Sequence, residues 1–465
     1  MKVFDLIIIG SGPGGYRAAV SAALRGLSVA IVEKDTWGGC CLNRGCVPKK
    51  TLYATAKRIQ EVSIYRELGI TGTLNARLSS TWSVQKRVVD KVRESYISYL
   101  TNLGVSKFTG TARLVNKHEI SISFSNAVET ISGKCILLAT GSSAHFPAAI
   151  KPIPKRILTT DDLFREKPPE GKRVAIVGGG VIAAEFAFIL SHLGCKVFWL
   201  TRKKPLLKSM FSPQALKIFS AHIENDNLEI CLGNQVLSSK VGTKYLSLKL
   251  DTGNTLRVDW ALLATGRKPN TADLGLEEVG IETDNKGFIQ RNESLQTAVD
   301  NIYAIGDCAC DMMTANHAIA EANFFVNRIL DKSRQKYDPL SVPQVIYSAI
   351  EMARMGLNED MAEDQGFEPA VGFAAFENSP AALAQGHTEG YVRLLADMDS
   401  GQFLGSEVIG DDAGELINYL SKTDIPKDFL AEFAKTHFNH PSRSEEFMNA
   451  LETLAVKWGL VDSIF

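Results

Sequence analysis

The chain lacks any long hydrophobic run: its first apolar stretch, Leu6 to Ile9, stops at Gly10, and none approaches the ~18 residues of a membrane span. No basic, cleavable leader pattern precedes that stretch, so the expected location is cytoplasmic, or inside an organelle after loss of a transit segment. An excess charge of either sign is also missing. Lys and Arg number 51, Asp and Glu 52, for a net charge of −1, which removes the electrostatic case for nucleic acid or an anionic membrane as partner. Cysteine is scarce, eight in 465 residues, too few for a secreted, disulfide-stapled framework, so most should be reduced. Cys135, Cys195 and Cys231 read as small hydrophobes beside apolar segments. Cys308 and Cys310 lack metal-ligand spacing with any second cluster, and no metal site is expected. Low-complexity tracts are absent. The remaining composition, 45% hydrophobic and 22% charged, is that of a folded soluble chain. Its length is too great for one core and implies about three domains.

The richest segment runs Gly39-Cys40-Cys41-Leu42-Asn43-Arg44-Gly45-Cys46-Val47-Pro48-Lys49. Cys41 and Cys46, with four residues between them, are placed to alternate between dithiol and disulfide. A regular helix would separate them by roughly 7.5 Å of rise, beyond the about 6.8 Å Cα limit of an unstrained disulfide. The backbone must therefore bend between them, and Gly45 is suited to allow it.

Just upstream, residues 3–33 read as a dinucleotide-binding unit. A strand, Val3 to Ile9, leads into Gly10-Ser11-Gly12-Pro13-Gly14-Gly15, an Ala-rich helix, and a strand from Ser28 to Val32 ending in Glu33. Gly10 makes the tight turn, Gly12 admits the pyrophosphate to the backbone, and Gly15 lets helix and strand pack closely. Glu33, 18 residues after Gly15, is where a carboxylate accepts hydrogen bonds from an adenosine ribose.

The pattern returns at 173–202, with Arg173 to Val177 as strand, Gly178-Gly179-Gly180-Val181-Ile182-Ala183 as turn, and Lys196 to Leu200 as second strand. Here Ala183 replaces the last glycine, and Thr201 stands in the acidic position, followed by Arg202, Lys203 and Lys204. This basic group is either a solvated loop or an attractor for a 2′-phosphate, which would select NADP over NAD. Two nucleotide folds imply two nucleotides, one able to pass electrons to the other. Leu137-Leu138-Ala139-Thr140-Gly141-Ser142 and Leu263-Ala264-Thr265-Gly266-Arg267 are similarly worded strand-to-loop crossings. Ile302 to Ile305 form a strand ending in Gly306-Asp307, where Asp307 could accept a hydrogen bond from a ribityl hydroxyl.

Together these motifs resemble, from end to end, the flavin-dependent pyridine nucleotide–disulfide oxidoreductases. Within that group Gly12 to Tyr16, Thr388 to Leu394 and Ala413 to Ile417 are most similar to dihydrolipoamide dehydrogenases. The resemblance implies a homodimer with FAD in the first nucleotide fold and NAD(P) in the second, where Arg202 and the lysines after it lean the choice to NADP. FAD would be met by Gly10, Gly12, Gly15, Glu33, Lys50, Thr140, Gly141 and Asp307, and NAD(P) by Gly178, Gly180, Ala183, Arg202, Lys203 and Gly266. It makes Cys41 the interchange thiol and Cys46 the thiol against the flavin, with Lys50 and Glu185 paired near the flavin ring. His440 and Glu445 match its acid–base dyad, His440 coming from the partner subunit. The dyad also makes chemical sense alone: a thiol near pKa 8.5 is mostly protonated at neutral pH, a histidine can accept that proton, and a carboxylate can orient the ring.

The resemblance implies an α/β architecture: two Rossmann-like three-layer dinucleotide-binding domains plus a C-terminal α+β dimerisation domain. The FAD domain would span 1–147 and return at 274–340, the NAD(P) domain 148–273 and the interface domain 341–465. Alternating residues from Gly390 to Asp397 and Phe403 to Ile409 predict antiparallel strands there. Departures matter as well. Cys40 replaces the usual Thr, Cys46-Val47-Pro48-Lys49-Lys50 is closer to glutathione reductases, and Ser348-Ala349-Ile350-Glu351 lacks a Pro. The last cysteine is Cys310, so relatives that need a C-terminal redox pair are set aside. The expected activity is oxidation of a dihydrolipoyl group by NAD(P)+, the substrate being a lipoyl-carrying protein or a small disulfide. The alternatives are an NADPH-dependent reductase of a low-molecular-weight disulfide and a non-catalytic flavin-binding scaffold. A scaffold would be expected to lose some of Cys41, Cys46, Lys50, His440 or Glu445, and all five are present.

Overall fold

The structure is a computed structural model that describes residues 2–125, 127–165, 167–202, 207, 210–331, 337–421, 426 and 428–465. The chain forms two compact units, one of Met1–Leu52, Leu78–Glu170 and Trp260–Tyr337, the other of Tyr53–Arg77, Gly171–Asp259 and Asp338–Phe465.

The first unit is built on a seven-stranded sheet. Strand β1 (Val3–Ile9) pairs in parallel with β2 (Val29–Glu33) on one side and with Val128–Leu138 on the other. Ser106–Thr109 extends the sheet beyond β2, and Ile302–Ala304 lies parallel to Val128–Leu138. Residues Leu6 to Ile8 and Val29 to Val32 are buried throughout, as expected of parallel strands covered on both faces. Helix α1 (Pro13–Leu24) starts with Pro13 in its first turn and buries Ala18, Ala19 and Ala22. These small side chains allow the helix to lie close to the sheet. Helix α2 (Gly39–Arg44) and helix α3 (Cys46–Gln60) follow, broken at Gly45.

In the second unit three parallel strands, Leu228–Leu232, Lys196–Thr201 and Arg173–Val177, lie side by side in that order. Helix Val181–His192 connects the first two of these in sequence, and its residues 183–191 are all buried. The C-terminal part is a five-stranded sheet, in the order Gln344–Tyr347, Glu351–Gly356, Phe403–Ile409, Tyr391–Asp397, Pro369–Ala375, with every pairing antiparallel. Strands Tyr391–Asp397 and Phe403–Ile409 correspond to the two expected from alternation. Helix Glu446–Trp458 packs on this sheet so closely that a Cβ on Gly372 would sit 2.2 Å from the Ala450 carbonyl oxygen. Both expected nucleotide folds are therefore present, and the α+β C-terminal region shares the second unit with residues 171–259. No helix among the described residues is long and apolar enough to cross a membrane.

Candidate active site

The three fingerprint glycines do different things. A Cβ on Gly10 would lie 2.3 Å from the Ala139 carbonyl oxygen, and one on Gly15 would lie 1.9 Å from that of Gly10. These positions are closed by the chain itself. Gly12 faces open space, with no atom within 4 Å of an added Cβ. Open space over a backbone turn at the start of α1 is what a pyrophosphate needs, so the first fingerprint fits FAD. Glu33 is fixed beside it: Oε2 accepts from the Ser11 amide at 3.0 Å and the Ser11 hydroxyl at 2.6 Å, and Oε1 accepts from the Asp35 amide at 2.8 Å. Three of about four acceptor sites on the carboxylate are used, which leaves capacity for a ribose hydroxyl. Ser11, missed in the sequence, ties the turn to the next segment by accepting from the Gly38 amide at 2.9 Å.

That segment is the dithiol. A Cβ on Gly39, which has φ +63°, would come within 2.7 Å of the Gly12 Cα, so α2 begins directly against the cradle. Asn43 holds the helix start, donating to the carbonyls of Trp37 at 2.9 Å and Gly39 at 2.8 Å, and accepts from Arg93 at 2.9 Å. The predicted bend falls at Gly45, where an added Cβ would crowd the Cys40 oxygen and the Cys41 Cα, both at 3.3 Å. Cys41 and Cys46 are thereby brought into hydrogen-bond contact as thiols. That contact, and then burial, holds the Cys41 thiol well above the ordinary thiol range. In this form Cys41 needs a base before it can react. Cys46 is exposed and Cys41 half-buried.

Cys40 faces another way. Its sulfur lies 3.5 Å from Arg267 Nη2 and 3.7 Å from Asp161 Oδ1. Arg267 also donates to the Ser142 hydroxyl at 2.8 Å and the Ser142 carbonyl at 2.7 Å, and that hydroxyl donates to Asp307 Oδ2 at 2.5 Å. Burial raises the Asp307 carboxyl above its usual range, against the hydrogen bond from Ser142. Thr140 donates to the Asn270 carbonyl at 2.7 Å, and Gly141, at φ +70°, stands in open space. Arg267, Ser142 and Asp161 were not picked out in the sequence as site residues. The adjacency of Arg267 and Ser142 to the two Thr-Gly crossings was the available signal.

The second fingerprint shows the same division of labour. Gly178, at φ +138°, donates its amide to the Leu200 carbonyl and accepts from Trp199 Nε1 at 2.7 Å. Ala183 is fully buried, whereas Gly180 faces open space, which fits a second dinucleotide. Arg202 is exposed just past the strand end, and Lys203 lies outside the described residues. Gly266 belongs to the first unit, at φ +112° with open space beside it. Lys50 lies in the first unit on α3, and Glu185 in the second, where it is buried and accepts from the Tyr347 amide at 3.1 Å.

The dyad is assembled in the second unit. His440 Nδ1 lies 2.9 Å from Glu445 Oε1, and Glu445 Oε2 accepts from the Ser442 amide at 2.7 Å. The Ser442 amide first, and His440 second, hold the Glu445 carboxyl below its usual range. A carboxylate at Nδ1 selects the tautomer with a proton there, leaving Nε2 as the base. The His440 side chain is 72% exposed, accessible to a partner. Elsewhere in this unit Glu61, His387 and Asp411 gather with metal-ligand chemistry. Lys57 ion-pairs Asp411 at 2.8 Å, and Tyr65 donates to Glu61 at 2.7 Å, so the cluster is matched from within.

Residues 4–322 match the family model for pyridine nucleotide–disulphide oxidoreductases, and 342–451 match that family's dimerisation domain. The chain belongs to this family. Among curated relatives, the dihydrolipoyl dehydrogenase of Synechocystis is 31% identical, over 95% of this chain and 97% of its own. That of Thermus scotoductus is 31% identical over 98% of each. The glutathione reductase of Burkholderia cepacia is 30% identical over 96% of this chain and 98% of its own. LpdA from Mycobacterium tuberculosis superposes with a TM-score of 0.90 at 22% identity, covering 97% and 99% of the two chains. At that identity the match speaks for the fold alone. Membership of the pyridine nucleotide–disulfide oxidoreductases makes this chain a flavoprotein oxidoreductase that uses FAD and a pyridine nucleotide. The family's dimerisation domain supports a homodimer.

Proposed function

We propose that the protein oxidises the dihydrolipoyl group of a carrier protein, with NAD(P)+ as acceptor, through the Cys41–Cys46 pair and the His440–Glu445 dyad. The observation that carries this reading is the start of α2 against Gly12, which puts a dithiol at the edge of a dinucleotide cradle. In the oxidised enzyme, one substrate thiolate attacks Cys41 of the Cys41–Cys46 disulfide and releases Cys46 as thiolate. The second substrate thiol then attacks the mixed disulfide, forming the cyclic disulfide product and freeing Cys41. His440 of the partner subunit takes the substrate proton at Nε2, and Glu445 keeps its ring oriented. When bound, FAD and a pyridine nucleotide would supply the acceptors for the two electrons left on the Cys41–Cys46 dithiol. Lys50, Thr140, Gly141, Glu33 and Asp307 would hold the FAD. Gly178, Gly180, Ala183 and Arg202 would hold the nucleotide. Segments 1–147 and 274–340 serve the flavin, 148–273 the nucleotide and 341–465 the interface, in a cytoplasmic enzyme.

The second reading, NADPH-dependent reduction of a small disulfide, runs the same exchange backwards, since potentials and concentrations set direction. It is favoured by Thr201 in place of a ribose-binding acid, with Arg202 directly after it, and by the 30% identity to a glutathione reductase. The test is a two-by-two assay of holoenzyme with lipoamide and glutathione disulfide, each against NADH and NADPH. Turnover of lipoamide supports the first reading, and the nucleotide used shows whether Arg202 selects the phosphate. Turnover of glutathione disulfide alone replaces the first reading with the second. Activity with neither refutes both for free substrates.

A further inference from the structure

The turn that carries Asp307 is gripped from behind by a buried ion pair that the proposed thiol chemistry does not use. Glu321, on helix Ala315–Asp331, has no solvent exposure. Its Oε2 accepts from the Gly306 amide at 2.7 Å and from Arg291 Nη1 at 3.0 Å, and its Oε1 accepts from Arg291 Nη2 at 2.5 Å. Arg291 Nη1 also donates to the Ala304 carbonyl at 2.7 Å. The pair therefore holds the backbone on both sides of Ile305, immediately before Asp307. Gly306 sits at φ +69°, and a Cβ there would lie 3.1 Å from that of Ala318 on the same helix. The turn thus lies close against this helix.

Burial works against the Arg291 charge, but the Glu321 carboxylate outweighs it and keeps the guanidinium charged. Such a pair is a weak source of stability, because desolvation offsets most of the attraction. What it supplies here is direction: one peptide N–H and one carbonyl fixed in orientation.

We propose that Glu321 and Arg291 are positioning residues for FAD, setting the Gly306 peptide so that Asp307 points at the flavin's hydroxylated side chain. This rests on the reading of Asp307 as an FAD-binding residue. A second holding point for Asp307 is its hydrogen bond from Ser142. Ser142 orients the carboxylate itself, while Glu321 orients the backbone that bears it.

The experiment is a double-mutant cycle on FAD affinity, titrating apoprotein with FAD and following flavin fluorescence. Asp307→Asn should weaken binding about 10- to 100-fold, the worth of a charged hydrogen bond. Glu321→Gln, which keeps the side chain's size, should weaken it about 10-fold in the wild-type background but less than about 2-fold in Asp307→Asn, because coupled residues are not additive. Equal losses in both backgrounds, or no loss from Glu321→Gln, would overturn the positioning role while leaving the Asp307 reading intact. Unchanged affinity in Asp307→Asn would overturn the Asp307 reading and this inference with it. If Glu321→Gln does not fold, the paired Arg291→Met/Glu321→Met variant leaves no lone buried charge and must show the same coupling to Asp307.

Discussion

Cys40 should be a spectator thiol, although it adjoins Cys41. Burial pushes its thiol up to about 11; the Arg267 charge pulls it down, and Asp161 pushes it up. At pH 7.5 about 0.03% of such a thiol is thiolate, against about 10% for an exposed thiol of pKa about 8.5. The rate of alkylation would fall about 300-fold on that ground alone. A more basic thiolate is intrinsically more nucleophilic and recovers about 10- to 20-fold of it. The net expectation is a rate about 20-fold below that of an exposed cysteine of pKa about 8.5 in an unstructured peptide, before any further slowing from restricted access. The assay is iodoacetamide labelling of the reduced protein, with Cys40, Cys41 and Cys46 quantified by peptide mass spectrometry over time. Cys40→Ser should keep kcat within about twofold of wild type, because a hydroxyl can meet Arg267 and Asp161 in the same way. Labelling of Cys40 as fast as the peptide thiol would refute the reasoning. So would recovery of a Cys40–Cys41 disulfide from peroxide-treated enzyme.

Glu445→Gln should lower kcat/KM about 10- to 100-fold through loss of a charged hydrogen bond to His440, measured with lipoamide. Glu445 is held below its ordinary value, so its contribution is present above the ordinary carboxyl range and lost only as pH falls through the depressed value. Glu445 should therefore be ionised throughout about pH 6 to 9, so the loss in the variant should persist across that window, and wild-type kcat/KM in the variant anywhere within it would contradict the assignment. Gly12→Val should leave the fold intact but weaken FAD binding at least about 10-fold, whereas Gly15→Val, facing an oxygen at 1.9 Å, should fail to fold or lose several kcal/mol, about 3 or more. Circular dichroism and FAD titration separate the two, and equal behaviour would undo the distinction between open and closed glycines. Arg202→Glu should favour NADH over NADPH by about 10-fold or more in the ratio of kcat/KM, and no change would show the basic loop to be solvated only.

What was legible in the sequence was local. The Gly10–Gly15 turn, the bend at Gly45 and the pairing of His440 with Glu445 are each set within a handful of residues, where backbone geometry and side-chain type decide the outcome. Glu33 could be placed because β1, α1 and β2 form one supersecondary unit with a fixed length. The supports of that site were not legible, because they join segments far apart in sequence. Cys40 meets Asp161 across 121 residues and Arg267 across 227, and Ser142 meets Asp307 across 165. No spacing rule relates such positions; only the sheet, which sets Val128–Leu138 between β1 and Ile302–Ala304, brings their strand ends to one edge. Arg291 and Glu321 add a physical reason. In sequence a charged residue reads as surface, and a buried pair can be inferred only when the fold shows both partners losing water together. The unread residues in the first unit are thus mainly charged or hydroxyl groups that hold backbone near the cradle. The residues first assigned to the chemistry were those whose neighbours in sequence are also their neighbours in space.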